Sequence, residues 1–597
     1  MVKFLDLDID HSRDSLFDDL GLKRLKESYM KDDESSPQER FAFVSKSFGS
    51  SLEHSQRLYD YASKHWLSYS TPILSFGRTK YGLPISCFLS WVPDTAKGLV
   101  DTLSETNWLS MLGGGVGLGF GIRSAGDKST GVMPHLKIYD ASSLAYKQGN
   151  TRRGSYAAYL DISHPDMIMF LEMRKPTGDQ NMRCLNLHHG INITDDFMKI
   201  IERCMVDPTA DDRWELKEPH NGVVKEVVSA KELWQKILEL RIQTGEPYLH
   251  FIDTSNAALP DFLKKRGLKV RQSNLCSEIL LPTSEERTAV CCLSSLNLER
   301  FDEWKDSPLF LRDVAEMLDN VLNYFIQNAP DAISRAKFSA MRERSIGVGA
   351  LGFHAYLQSK GIPFESAMAK STNIRMFKHI RSGLDEASSQ LSAERGEAPD
   401  AEGTGKRFSH VMAVAPNASS SILMGNTSPS IEPFKANCYR QDTLSGSFMN
   451  KNRYLDGIIK EKCAENKRLD YNDIWSSIIA NGGSVQHLDI LDDWQKSVFK
   501  TAIEIDQRWI VEHAADRQEF IDQGQSVNVF FRPDVGVKYL HAVHFLAWKK
   551  GLKTLYYCRS EKILKADRVS QKVERNIIEE IDIKQLAEGT ECLACEG

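Results

Sequence analysis

The sequence predicts an α/β fold preceded by a helical N-terminal region, and three observations carry that expectation. Within residues 1–74, Leu58, Tyr61, Ala62, His65 and Trp66 recur at the i, i+3, i+4, i+7, i+8 spacing of one apolar helix face, where core packing accounts for His65. After Thr71-Pro72 the pattern changes to short apolar runs separated by helical stretches, as expected of a buried sheet covered by helices. Residues 113–121, Gly-Gly-Gly-Val-Gly-Leu-Gly-Phe-Gly, fit neither the G-x-G-x-x-G nucleotide loop nor the P-loop, since Asp127 stands where the lysine should follow the second glycine. They read as a strand or turn against which another backbone packs closely. The catalytic-sized body is expected over residues 75–580, with residues 581–597 a flexible tail.

The elements follow in order. Ser86-Cys87-Phe88-Leu89 is the first short apolar run, and Cys87 reads there as a core residue as readily as a functional one. Residues 147–155, Lys-Gln-Gly-Asn-Thr-Arg-Arg-Gly-Ser, form a polar loop whose arginines suit an anionic ligand or a solvated turn alike. Ser229-x-x-Glu232 is a capping box opening a helix that carries Leu233, Ile237 and Leu240. Residues 271–298 hold Asn274-Leu275-Cys276-Ser277-Glu278, then a polar turn at 282–287, then Ala-Val-Cys-Cys-Leu-Ser. If the first part is extended, an amide, a thiol and a carboxylate project from one side of the backbone, a set able to orient a hydroxyl, attack or carry a radical, and accept a proton. On spacing alone a buried hairpin with small core cysteines is the plainer reading, and the other motifs reverse that preference.

Farther on, Ala415-Pro416-Asn417-Ala418-Ser419-Ser420-Ser421 precedes an apolar run, either an ordinary helix cap or a phosphate cradle of N–H groups and hydroxyls. Trp494, Val498, Ala502, Ile505 and Trp509 predict one long amphipathic helix with its aromatics in the core. Tyr556 and Tyr557 are adjacent, so in a strand one ring would face inward and the other toward a surface. The chain ends on Cys592-Leu593-Ala594-Cys595, which lacks the second C-x-x-C of a zinc site and reads as a mobile dithiol arm. Cys184 with His188 and His189 has no further ligand pair at zinc-finger spacing, so no metal site is expected.

Bulk properties exclude several functions. A formal charge of −6 without a basic tract argues against a nucleic-acid partner. No apolar run approaches the roughly 18 residues that span a bilayer, and the acidic N-terminus is no signal peptide, so a cytoplasmic protein is expected. Its eleven cysteines are then not a disulfide framework, and a pair that cycles does so for catalysis or sensing.

Together these motifs resemble the large, catalytic subunit of class I ribonucleotide reductases, over nearly the whole chain from about Leu20. The matching segments are Asn274-Leu275-Cys276-Ser277-Glu278, Cys87 in Ser-Cys-Phe-Leu, Cys291 in Ala-Val-Cys-Cys-Leu-Ser, Tyr556-Tyr557 and Cys592/Cys595. Met341-Arg-Glu-Arg-Ser-Ile-Gly-Val-Gly and Ala514-Ala-Asp-Arg-Gln-Glu-Phe-Ile-Asp-Gln-Gly-Gln-Ser agree further. Cys292 stands where the family usually has a polar residue and is the weaker candidate for the reducing pair.

The resemblance implies a ten-stranded α/β barrel with a central finger loop, and the reduction of ribonucleoside diphosphates by a thiyl radical at Cys276. Glu278 would act as general base, Asn274 would orient the substrate hydroxyls, and Cys87 and Cys291 would supply two electrons by closing a disulfide. A thiol near its ordinary pKa of about 8.5 keeps its proton at neutral pH, so Cys87 can protonate the departing 2′-hydroxyl. Tyr556 and Tyr557 would relay the radical from a separate, metal-containing small subunit. Cys592 and Cys595 would re-reduce the pair and take electrons from thioredoxin or glutaredoxin. Thr71, Ser86, Pro416, Asn417, Ala418, Ser419 and Ser420 would hold the diphosphate. Asp94, Arg123, Gln148 and Arg152 would meet a dNTP or ATP specificity effector in a homodimer. The N-terminal ATP-cone of longer members has no counterpart in the 86 residues before Cys87, and Leu109-Ser110-Met111-Leu112 replaces a frequent Ser-Lys-Ser. An adenosylcobalamin-dependent reductase and a non-catalytic nucleotide-binding homologue are the alternatives; the tyrosine pair argues against the first, and five filled cysteine positions argue against the second.

Overall fold

A computed structural model describes residues 2–78, 82–126, 128–146, 155–443 and 446–560. The N-terminal region opens with a small hairpin, Val2–Phe4 against Leu7–Ile9, which the helical reading did not foresee. Helices Asp19–Ser28, Pro37–Phe48 and Leu52–Ser63 follow, each started by a side chain (Asp18, Ser36, Ser51) that accepts a backbone N–H of the first turn. The third helix ends before His65, which adopts φ 59°, so His65 and Trp66 extend the apolar face from outside the helix. His65 is buried with its ring 4.7 Å from Phe17, and burial lowers its pKa to about 3. The region is tied to the body through Asp313 of helix Phe310–Asn328, whose carboxylate receives Arg57 at 2.6 and 2.9 Å and the Tyr61 hydroxyl at 2.9 Å.

The body is a sheet of nine strands among the described residues. Strands Cys87–Val92, Gly115–Phe120, Tyr156–Asp161, His188–Ile193 and Tyr248–Phe251 run parallel as one half. Ala289–Asn297 and Ile346–Leu351 begin a second parallel half, which lies antiparallel to the first where Ala289–Asn297 meets Cys87–Val92. Segment 410–415 continues that half beside Ile346–Leu351, segment 523–527 pairs with it, and the stretch entering Tyr556 pairs in turn with Val527. Thr554–Leu555 then meets Tyr248–Phe251 antiparallel, which closes the ring. Eight strands on the sheet path and the two irregular segments make the ten staves that the resemblance implied.

Both faces of this wall are covered, which explains why Ala289–Asn297 is buried at every position and shows no alternation in the sequence. The outer face packs under helices in the main hydrophobic core, and the inner face forms a separate cluster around Cys87, Cys276, Cys291 and Tyr556. Helix Ala230–Thr244 starts at the expected place, with the Ser229 hydroxyl accepting from Glu232 N and Leu233, Ile237 and Leu240 buried, although only this half of the expected capping box forms. The long helix expected over 494–509 is instead two. Asp493–Val498 ends, residue 501 opens a turn closed on Glu504, and Asp506 caps a new helix, Gln507–Gln518. Trp494 is consequently 55% exposed rather than core. Among the described residues no helix is long and apolar enough to cross a membrane.

Candidate active site

The segment carrying Asn274, Cys276 and Glu278 enters the barrel as a buried loop, and is not the extended strand on which the alternation argument relied. It turns at Ser277, which has φ 68° and donates its N–H to Asn274 O at 3.4 Å. Every wall around the loop grips its backbone. The Tyr159 hydroxyl donates to Asn274 O at 2.7 Å, Ser526 Oγ to Cys276 O at 2.6 Å, and Gly524 N to Glu278 O at 2.8 Å. Asn274 Oδ1 accepts from Ile279 N at 3.1 Å, which spends that amide oxygen on the loop itself. Its Nδ2 is buried with no hydrogen-bond partner among the described residues, a donor open to an oxygen that those residues do not supply. The glycine-dense strand meets its expectation here. A Cβ at Gly117 would lie 2.0 Å from Ser273 O, and one at Gly119 2.7 Å from Gln272 Oε1.

Cys87 and Cys291 are direct partners in the antiparallel register of their strands, and both are buried. Directly opposed residues hold their Cβ atoms about 4.5–5.5 Å apart, roughly 1 Å beyond the separation in a disulfide, so the two strands must draw together slightly for the bond to close. Burial pushes the Cys291 thiol well above its ordinary pKa, against a downward pull from Gln523 and with the charges of Cys87, Cys292 and Glu278 adding to the rise. A thiol so placed keeps its hydrogen. Gln523 Nε2 donates to Cys291 Sγ at 3.4 Å while its Oε1 accepts from Leu280 N at 3.3 Å, so one amide spans the reducing cysteine and the loop. Cys292, one residue on, points into the outer core.

The tyrosines contradict the expectation of opposite faces. Tyr556 and Tyr557 lie in the break between Thr554–Leu555 and Cys558–Ser560, outside regular pairing, so the alternation of a strand does not apply. Their ring centroids are 4.3 Å apart and both are buried. The Tyr556 hydroxyl reaches Cys276 Sγ at 3.5 Å, and Tyr248 packs against both rings at 4.8 and 5.1 Å. Tyr557 lies under the Arg559 guanidinium at 4.3 Å and its hydroxyl is 3.3 Å from His188 Nδ1.

Glu278 Oε2 lies 3.2 Å from Ser526 Oγ and competes with Cys276 O for its single hydrogen. Ser86 directly precedes Cys87, and Thr71 begins the four-residue helix Thr71–Leu74. Asn417 takes φ 55° at the start of helix Ala418–Leu423, its amide donating to Ala350 O and Ala415 O and accepting from Ser295 Oγ. Pro416, Asn417, Ser419 and Ser420 are buried, Ala418 is half-buried, and Arg24 reaches Ser419 Oγ at 3.5 Å. Asp94 and Arg123 pair with each other beyond the paired strand ends Val92 and Phe120. Gln148, Arg152, Cys592 and Cys595 lie outside the described residues.

The sequence reading missed Gln523, Ser526, Tyr159, Tyr248, Arg24 and the Glu246 cluster at His188. Gln523 and Ser526 sit in the quoted stretch ending Asp-Gln-Gly-Gln-Ser, whose run of small and amide side chains signals close approach to another backbone. Tyr159 shares the inward face of its strand with Ala157.

The family description "Ribonucleotide reductase, barrel domain" matches residues 85–404 and 398–558, and "Ribonucleotide reductase, all-alpha domain" matches residues 15–82. The chain is 54% identical over 609 residues to the ribonucleoside-diphosphate reductase large subunit of Invertebrate iridescent virus 3, covering 94% of this chain and 96% of that protein. It is 30% identical over 660 residues to the large subunit of Caenorhabditis elegans, covering 98% of this chain and 82% of that one. The solved structure titled Actinobacillus ureae class Id ribonucleotide reductase alpha subunit superimposes with a TM-score of 0.81 at 34% identity, over 93% of this chain and 98% of that chain. With both domain descriptions matched along its length and these relatives covered almost end to end, the chain belongs to the family of ribonucleotide reductase large subunits.

Proposed function

We propose that this chain is the catalytic subunit of a ribonucleoside-diphosphate reductase, in which Cys276 carries the thiyl radical that removes the ribose 3′-hydrogen. The observation that carries the reading is the convergence of three groups in one closed barrel: a tyrosine hydroxyl 3.5 Å from Cys276 Sγ, a second tyrosine packed behind it, and two cysteines opposed in register. Glu278 takes the 3′-hydroxyl proton, and the Asn274 Nδ2 donor orients the substrate oxygens. Cys87 and Cys291 give up two electrons and two hydrogens as they join, one hydrogen replacing the 2′-hydroxyl and the other leaving with it as water. The Cys592/Cys595 arm then reduces the pair by exchange, drawing on thioredoxin or glutaredoxin.

Thr71, Ser86 and the 416–420 segment hold the diphosphate, to which Arg24 adds the positive charge that the serines lack. Asp94, Arg123, Gln148 and Arg152 bind the dNTP or ATP effector in a homodimer, with domains divided at 74/75 and 580/581. The radical comes from a separate metal-containing small subunit, and the enzyme works in the cytoplasm. The test is CDP reduction with and without that small subunit, with adenosylcobalamin as control. Activity should require the small subunit and fall below detection in Cys276→Ser; substantial reduction by Cys276→Ser would remove the radical thiol from this scheme.

A further inference from the structure

The two adjoining tyrosines, their rings tilted by 51°, differ in what surrounds their hydroxyls. Tyr556 has Cys276 Sγ at 3.5 Å, so a hydrogen leaving one can be taken by the other. Tyr557 faces instead an acid–base cluster at the rim. Its oxygen is 3.3 Å from His188 Nδ1, and the same nitrogen lies 2.6 Å from Glu246 Oε1, close enough that a proton is shared between them. Glu246 is 1% exposed, and its other oxygen accepts from His189 N and faces His189 Nδ1, both at 3.0 Å, with Arg174 Nε at 3.4 Å. The Tyr248 ring stacks 6.2 Å from His188, and Arg559 covers the Tyr557 ring. His188 and Arg174 are the partly open edges of the cluster, 14% and 17% exposed.

We propose that the His188–Glu246 pair is the proton acceptor for Tyr557 during radical transfer, an assignment that rests on the tyrosine relay described above. A phenol that loses an electron becomes a strong acid, and a positively charged tyrosine radical beneath Arg559 and near Arg174 would be repelled by both guanidinium groups. The proton therefore has to leave with the electron. The step balances within the residues present. The electron passes to the oxidant of the small subunit, the proton shared by His188 Nδ1 and Glu246 Oε1 moves fully onto the carboxylate, and the Nδ1 lone pair so freed takes the Tyr557 proton as its O–H bond breaks. Tyr557 becomes a neutral radical and Glu246 a neutral acid. Taking a hydrogen from Tyr556 then restores Tyr557, and the reverse sequence on the return journey restores the carboxylate. Parked on Glu246 the proton is off the phenol that Arg559 covers, at the cost of leaving Arg174 without its counter-charge while the radical is forward, and bulk water is kept from the packed rings.

The experiment uses the holoenzyme with its small subunit and measures CDP turnover for His188→Ala, His188→Gln and Glu246→Gln, with substrate binding measured in parallel. His188→Ala is expected to lose about 10²-fold in turnover, the usual contribution of a positioned base, with unchanged CDP affinity. Added imidazole, or a rising concentration of buffer base, should restore part of that loss, and neither should alter the unmodified enzyme. His188→Gln keeps a hydrogen-bonding side chain but cannot take up a proton, and should be as slow as His188→Ala. Wild-type turnover in either variant, or a loss that imidazole and buffer base leave untouched, overturns the proposal. Tyr557→Phe separates the two levels: an inactive Tyr557→Phe beside fully active His188 variants removes only the proton acceptor, whereas an active Tyr557→Phe removes the relay itself.

Discussion

The two faces of the barrel wall are made by the same strands and do different physical work. Along Cys87–Val92 and Ala289–Asn297, Cys87 and Cys291 face the interior with Leu89, Ala289 and Leu293, while Phe88, Val290 and Cys292 face the helices. The outer face is mainly hydrocarbon, broken by Cys292 and by the Ser90–Thr288 pair; Phe88, for example, packs 6.0 Å from Phe325 of helix Phe310–Asn328. The inner face is buried as deeply, yet it spends much of its surface on thiols, phenols and amides whose hydrogen bonds run to a loop backbone. Such groups are costly to bury unless each is satisfied, so the interior is tolerable only because the helices outside supply the stability. Reactivity and stability are thus separated by a single residue step along one strand.

The sharpest way to break this comparison is to alter neighbours that point to opposite sides. Cys291→Ser should abolish multiple-turnover nucleotide reduction, because no disulfide can form, while leaving the urea midpoint nearly unchanged. Cys292→Ala should keep full turnover and cost about 1 kcal/mol of stability, roughly the transfer of one buried methylene-sized group. If Cys292→Ala were the inactive variant, the register pairing of Cys87 with Cys291 would not identify the reducing pair.

A second contrast concerns magnitude on the outer face. Phe88→Ala removes an aromatic side chain from the layer between sheet and helices and should lower folding stability by about 3–5 kcal/mol, measured by equilibrium denaturation. Reduction per folded molecule should stay near the wild-type rate at temperatures where the variant remains native. A loss of activity with unchanged stability would mean that the outer core shapes the site directly.

What the sequence disclosed follows the same division. Thiol, carboxylate and tyrosine positions were legible because Asn-x-Cys-x-Glu, Tyr-Tyr and the paired apolar cysteine runs are compact in the chain. The barrel strands were legible as short apolar runs, although their order was not, since uniformly buried strands such as Ala289–Asn297 carry no alternation to orient them. Conformation at the site was misread for one cause twice over. Both the Asn274–Glu278 stretch and the Tyr556-Tyr557 pair were assigned strand geometry, and both lie where the chain leaves the ladder, at Ser277 with its positive φ and between two short strands. Contacts such as Gln523 with Cys291, or Glu246 with His188, join positions 232 and 58 residues apart, and no local pattern encodes them.

The effect at the rim, where the interior meets solvent, depends on pH and has a definite sign. Against the upward push of burial, Arg174, His188 and His189 hold the Glu246 carboxyl well below the usual carboxylate range. A carboxyl whose folded pKa lies below its unfolded value stabilises the protein above the unfolded value, near 4.5, and that contribution is lost as pH falls through the lower folded value. Glu246→Gln should therefore cost about 3 kcal/mol near neutral pH, since it strands the half-buried Arg174 charge beside two histidines, and the difference from wild type should shrink as the medium is made acidic. Denaturation midpoints of the two proteins would be compared from pH 7 downward. Curves that stayed parallel throughout would show that Glu246 is not held ionised by its neighbours, and the rim would then resemble the hydrocarbon face outside the wall more than the reactive face within it.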